Sequence, residues 1–265
     1  NWSYFVSAPL LKVSGLKKAY GAIQAVDGVS FEVFAGEIVG IIGPNGSGKT
    51  TLLSMMAGLL PPTSGSVLWK GREIQRLRPD LIAGLGVVKT FQNPQVFAEL
   101  SVFDNVLVAS HLALKRALGF RRGLEVLGAA QAVEHRLAER VGEVLTLCNL
   151  GAAAQQLAGN LSYGEEKMLG IAMALMCDPE LLLLDEPASG LGRDEVRNLE
   201  AVLDNVHTAG TTLCIVDHKI GFLRGLADRV IALNYGQKIA EGPPEQVLNN
   251  PAVVEAYLGA GHARA

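Results

Sequence analysis

The run Gly43-Pro-Asn-Gly-Ser-Gly48-Lys49-Thr50 fits the pattern G-x-x-x-x-G-K-[ST], and what flanks it narrows the fold. Ahead of it, Ile38–Ile42 is a short apolar stretch bounded by glycines, the pattern of a strand buried on both faces. Behind it, Gly48–Gly58 reads as a helix, closed by Gly58 and followed by Pro61-Pro62. Between a strand and a helix, glycines let the backbone curl until successive N–H groups converge on phosphate oxygens. The helix N-terminus adds positive potential there. Lys49 is placed to reach the β- and γ-phosphates and the Thr50 hydroxyl to ligate Mg²⁺. Gly43, Pro44, Asn45, Gly46, Ser47, Gly48 and Thr51 complete the cradle. A chain with 30 glycines offers chance matches, but here the strand and the helix both argue for a nucleoside triphosphate site.

Leu181-Leu-Leu-Leu-Asp185-Glu186-Pro187 puts two carboxylates at the C-terminal end of a second apolar strand, the end at which parallel sheets bind ligands. Asp185 is suited to hold Mg²⁺ through its water. Glu186 is suited to polarise an attacking water, the positioning task of phosphoryl transfer. In isolation such a pair is a solvated strand end or a helix cap. Beside a phosphate loop it reads as a hydrolytic centre.

The rest of the chain is consistent with an α/β fold. Leu10–Leu16 and Val29–Phe34 alternate apolar and polar residues, as half-buried antiparallel strands do, and Ser66–Trp69 reads as a strand running into a turn at Lys70-Gly71. From about Asn93 to Cys177 the pattern is helical. Ser101-Val-Phe-Asp104 resembles a capping box, and Leu124–Leu147 places Val133, Leu137, Val141, Val144 and Leu145 on one face. Strands and helices then alternate again: Asp194–Val206 helix, Thr211–Val216 strand, Gly221–Ala227 helix and Val230–Leu233 strand. Pro244–Leu248 and Val253–Leu258 read as closing helices. This predicts a P-loop NTPase core with a mostly parallel sheet covered on both faces, an antiparallel β subdomain and an inserted helical lobe.

Net charge is −3, from 23 basic and 26 acidic side chains, which gives no basic field for nucleic acid. Mean hydropathy is high, at +0.27, yet the longest apolar runs, Met168–Cys177 and Leu181–Leu184, fall short of the roughly 18 to 20 residues of a membrane span. Apolar surface buried against partners is the remaining explanation. Cys148, Cys177 and Cys214 match neither a disulfide framework nor a zinc site, so buried reduced thiols are expected. Asn1–Pro9 lacks the plan of a signal peptide and reads as an extra tail.

With these residues assembled, the chain resembles the ATP-binding cassette (ABC) family, the motor subunits of ABC transporters, from about Leu10 to Gly259. The most specific element is Leu161-Ser-Tyr-Gly-Glu165, similar to the family signature LSGGQ. Physically, Ser162 caps the following helix with Glu165 as its box partner, exposing an N-terminus able to bind an anion. The resemblance implies that Ser162, Gly164 and Glu165 read the γ-phosphate of ATP held by another subunit. It also implies that Tyr20 stacks on adenine, that Gln92 touches Mg²⁺ and the attacking water while linking the lobes, and that His218 contacts the γ-phosphate. Catalysis then rests on Glu186, His218 and Gln92, and the metal on Thr50, Gln92 and Asp185. Three residues depart from the pattern: Tyr163 replaces the first signature Gly, Glu165 replaces Gln, and Gly192 stands where the dimer-contact loop usually carries Asp, or Asn in some branches. Gly192 puts coupling between sites in question, not ATP binding.

The domain plan expected from the resemblance is a tail over 1–9, one cassette over 10–259 with its helical lobe at about 93–177, and a tail over 260–265. Tyr163, Thr90-Phe-Gln-Asn93, the insert around His111–Val141 and Ala256-Tyr-Leu-Gly259 resemble the ATPases of branched-chain amino-acid importers, a branch shared with urea and short-amide importers. This implies a head-to-tail nucleotide-sandwich dimer, homo- or heteromeric, peripheral at the cytoplasmic face. It would work with transmembrane permease subunits and an extracytoplasmic solute-binding protein, and without nucleic acid. Asn93–Val106, with Phe97 as a candidate contact, would pass motion to the permease. Lys115, Arg116, Arg121 and Arg122 form a basic cluster facing either lipid headgroups or solvent. A soluble ABC ATPase of DNA repair or translation, or a regulatory subunit with a degenerate site, are the other readings.

Overall fold

A strand that is apolar at every position needs cover on both faces, and the central sheet has it. The computed structural model describes residues 8–118 and 130–262. In chain order the strands are β1 (Leu11–Tyr20), β2 (Ile23–Val33), β3 (Ile38–Ile42), β4 (Ser64–Trp69), β5 (Arg72–Glu73), β6 (Val87–Lys89), β7 (Leu181–Asp185), β8 (Thr212–Val216), β9 (Arg229–Asn234) and β10 (Gln237–Gly242). The α-helices are α1 (Lys49–Met56), α2 (Pro79–Gly84), α3 (Val102–Leu118), α4 (Ala130–Leu147) and α5 (Tyr163–Leu175). After them come α6 (Arg193–Thr208), α7 (Ile220–Leu226), α8 (Pro244–Leu248) and α9 (Pro251–His262). The main sheet runs β10-β9-β3-β8-β7-β6, parallel except for β10 at one edge. A separate antiparallel sheet runs β2-β1-β4-β5.

Because side chains alternate across a strand, each apolar run feeds two cores. Ile38 and Ile42 of β3, Leu182 and Leu184 of β7, and Leu213 and Ile215 of β8 join one core with α5, α6 and the helices of the 93–177 stretch. Val39, Ile41, Leu181, Leu183, Cys214 and Val216 face the other way, packing with α1 and the antiparallel sheet. Val141, Val144 and Leu145 are buried as the helical spacing predicts, and Leu137 is half-buried. The Val133 side chain and residues 124–129 of the predicted helix lie outside the described residues, as do Arg121, Arg122 and the side chains of Lys115 and Arg116.

Several elements differ from the sequence expectation. The strand β10 has no counterpart in it, because Gln-Lys-Ile-Ala-Glu-Gly has no apolar alternation. It exists through a two-residue hairpin, Tyr235-Gly236, with φ of +46° and +78°. The short α2 and β6 also lack a periodic signal. Phe97, a candidate contact in the sequence, is exposed. Cys148 and Cys214 are buried, with both thiols pushed up to about 12 by desolvation, while Cys177 is only half-buried. No described helix is long and apolar enough to cross a membrane.

Candidate functional site

Held between the parallel neighbours β8 and β9, β3 delivers Gly43 to the carboxyl end of the sheet. Two of the loop glycines are demanded by space as well as by backbone angle. A Cβ at Gly43 (φ +153°) would lie 2.3 Å from the Leu233 carbonyl oxygen and 2.5 Å from Ser47 Oγ. One at Gly48 (φ +99°) would lie 2.3 Å from the Ala25 carbonyl oxygen. Ser47 Oγ is buried inside this curl without a hydrogen-bond partner. Lys49 Nζ donates to the carbonyls of Gly43 (2.8 Å) and Pro44 (2.9 Å). Burial pushes the Lys49 pKa down, opposed by the charges of Glu186, Asp185 and Asp217. An orphan hydroxyl, a buried ammonium and a curl with no room for a Cβ at Gly43 or Gly48 fit a bound phosphate chain.

Thr50 Oγ1 donates to Asp185 Oδ1 at 3.1 Å, so two of the three residues expected at the metal meet across 135 positions. A hydroxyl and a carboxylate are hard oxygen donors, the kind Mg²⁺ prefers. The other Asp185 oxygen, Oδ2, accepts from Lys89 Nζ at 2.9 Å, in an ion pair whose side chains are 6% and 4% exposed. Sequence reasoning missed Lys89, which carries no motif and is brought here by the register of β6 against β7.

Glu186 has φ +50°, a left-handed conformation rare outside glycine. Its N–H donates to the Val216 carbonyl at 2.7 Å, bending the chain off the strand end. Gln92 Nε2 donates to Glu186 Oε2 at 3.2 Å, and His218 Nδ1 stands 3.9 Å from the same oxygen. The three expected catalytic residues therefore converge. Asp217, fully buried, accepts from the N–H groups of Ala188 (2.9 Å) and Lys219 (2.8 Å), fixing the two loops beside them. No motif marks this role, although Asp217 adjoins His218.

Tyr20 ends β1 half exposed, with Lys18 Nζ 5.2 Å from its ring centre. Ser162, Gly164 and Glu165 form a separate cluster at the start of α5. Glu165 Oε2 accepts from Ser162 N (2.9 Å) and Oγ (2.8 Å), while Glu165 N donates to Ser162 Oγ (3.2 Å). The carboxylate that replaces the usual Gln is thus turned back onto the cap. A Cβ at Gly164 would lie 2.7 Å from Glu195 Oε1, and Glu195 Oε2 accepts from Gly192 N at 2.7 Å. Gly192 therefore caps α6 through its backbone alone.

Residues 26–189 match the family model described as "ABC transporter", and residues 237–263 match "Branched-chain amino acid ATP-binding cassette transporter". The chain is 39% identical over 257 residues to the high-affinity branched-chain amino acid transport ATP-binding protein LivG of Escherichia coli (strain K12), covering 96% of this chain and 99% of that relative. A nucleotide-free ATP-binding cassette from an ABC transporter superposes with a TM-score of 0.81 at 30% identity, covering 94% of this chain and 99% of that one. A dimeric cassette in a post-hydrolysis state with ADP and Pi gives 0.72 at 26% identity, covering 88% and 98%. The phosphate loop, the acid strand and these likenesses agree: the chain belongs to the ABC transporter family as an ATP-binding, ATP-hydrolysing subunit.

Proposed function

We propose that the chain hydrolyses ATP to drive import of branched-chain amino acids, working as one half of a head-to-tail dimer attached peripherally to permease subunits at the cytoplasmic face. The solute class is supported by the likeness to LivG along 96% of the chain and by the match over 237–263. The catalytic part is carried by one observation, the convergence of Gln92 and His218 on Glu186 Oε2. The cassette spans 10–259 with its helical lobe at about 93–177, and an extracytoplasmic solute-binding protein delivers the solute.

In this reading the loop amides and Ser47 Oγ bind phosphate oxygens, and Lys49 exchanges its two carbonyl partners for the β- and γ-phosphates. Tyr20 supports the adenine. Thr50, Asp185 and Gln92 would hold Mg²⁺. Bound Mg²⁺ supplies charge neutralisation on the transferred phosphoryl group. Glu186 accepts hydrogen-bonded water and orients it, as phosphoryl transfer requires. Gln92 and His218 hold the carboxylate from two sides. Ser162, Gly164 and Glu165 present a capped helix N-terminus to the γ-phosphate of the partner's ATP. Contact from both chains closes the dimer, and hydrolysis releases it.

Glu186→Gln keeps the hydrogen-bonding geometry and removes the base. Turnover should fall by about 10²–10⁴-fold, while ATP binding persists and ATP shifts the variant to a dimer on size exclusion. Hydrolysis at the parent rate would sink the assignment. Lys49→Ala should weaken ATP binding itself, measured by calorimetry.

A further inference from the structure

Lys167 lies in the first turns of α5 with only 5% of its surface exposed. Burying an ammonium is costly unless its protons are satisfied. Its Nζ donates to the backbone carbonyl of Gln92 at 3.1 Å and to that of Glu186 at 3.3 Å. The same ammonium stands 5.2 Å from the centre of the Tyr163 ring. One cation thus joins the helix that begins with Ser162–Glu165 to the backbones of the two residues whose side chains meet at the catalytic centre. The Glu186 carbonyl belongs to a residue in the left-handed region, and Ser189 N also donates to it, at 3.1 Å. Strained conformers of this kind persist only where their surroundings over-determine them. Lys167 is one of the constraints that do so.

The two departures nearby point the same way. Gly192 has no side chain to reach across to another site. Tyr163 replaces a glycine, packs where a Cβ on Gly190 would come within 2.8 Å of its ring, and is half exposed at the start of α5. Part of its ring faces solvent, and Lys167 Nζ lies over the ring.

We propose that Lys167 is a positioning residue coupling the two ATP sites of the dimer: nucleotide docking on Ser162–Glu165 is passed through Tyr163 and Lys167 to Glu186 and Gln92 of the same chain. The inference rests on the two-chain reading above. Seated, α5 keeps Nζ within reach of both carbonyls, and the Gln92–Glu186 contact is held. Tilted outward, it withdraws the ammonium and frees both backbones. A guanidinium preserves two donors in this position, whereas a methionine fills the volume and donates nothing.

The test measures ATPase rate against ATP concentration for the parent, Lys167→Met, Lys167→Arg, Tyr163→Ala and Tyr163→Phe. Calorimetric ATP affinity of the Mg²⁺-free chain is measured alongside. Lys167→Met should lower kcat about tenfold and bring a Hill coefficient near 2 down towards about 1. Its Mg²⁺-free ATP affinity should stay within about twofold of the parent. Lys167→Arg should restore both rate and cooperativity. Tyr163→Ala should lose cooperativity, and Tyr163→Phe should keep it. Parent-like cooperativity in Lys167→Met overturns the proposal, as does a non-cooperative parent. A loss of rate and ATP affinity together, with the Hill coefficient unchanged, marks a structural role and overturns it too. Glu186→Gln run in parallel separates the two readings. If it turns over like the parent, the catalytic assignment fails. If it is inactive while Lys167→Met behaves as the parent, only the coupling fails.

Discussion

At Gly48 a single methyl group would stand 2.3 Å from the Ala25 carbonyl oxygen, on a backbone already at φ +99°. The phosphate loop meets strand β2 there. Gly46, by contrast, has φ +80° and nothing within 4 Å of the point a Cβ would occupy. The two alanine variants should therefore differ. Gly46→Ala meets only the backbone penalty of about 1–2 kcal/mol. Gly48→Ala adds the collision, and its ATP affinity should fall at least about tenfold further by calorimetry. Equal affinities would show that the loop gives way at Ala25. The spacing of these glycines is readable in the sequence. Which of them is crowded is not, because the crowding atom comes from β2.

The N-terminus of α5 is the element on which the partner-facing reading depends. Its capping box is legible from Ser162 and Glu165 alone, since both partners lie within one turn. Ser162→Ala removes the acceptor of the Glu165 N–H and should cost about 1 kcal/mol in urea denaturation. A larger loss of ATP-driven dimerisation than of stability is expected, because in the proposed dimer the same end of the helix meets the second nucleotide. Proportional losses would make the cap purely structural. The helix α3 starts by the same logic, with Asp104 N donating to Ser101 Oγ at 3.0 Å. Such local signals explain why element starts can be found from sequence, while β10, set by a hairpin and an edge pairing, cannot.

Across the whole molecule the two sheets are clasped by Arg229. Its guanidinium forms a two-pronged pair with Glu37 (2.7 and 3.0 Å), donates to the Glu32 carbonyl of β2 at 2.6 Å and also pairs with Glu241 of β10. Arg229 and Glu37 are both almost wholly buried, and Glu37 also accepts from Phe34 N at 3.0 Å in the turn joining the two sheets. Removing one member leaves a buried charge short of its partner. Glu37→Ala should lower stability by about 3 kcal/mol, at the lower end for a broken buried pair since Glu241 remains. The measurement is a shift in the urea midpoint, and a change below about 1 kcal/mol would mean that water reaches the arginine.

By itself the sequence determined the alternation of strands and helices, the phosphate loop, the acid strand and the capped helix. Each depends on residues within a few positions of one another. Tertiary structure decided what those pieces meet. It set Thr50 against Asp185 and Gln92 against Glu186. It also brought in Lys89, Lys167 and Asp217, which carry no motif. Their roles come from buried charges seeking partners across 96 residues, as between Lys89 and Asp185, or 75, as between Lys167 and Gln92. The register of β6 against β7 fixes the first and the seating of α5 beside the loop after β6 the second, and no local pattern encodes either.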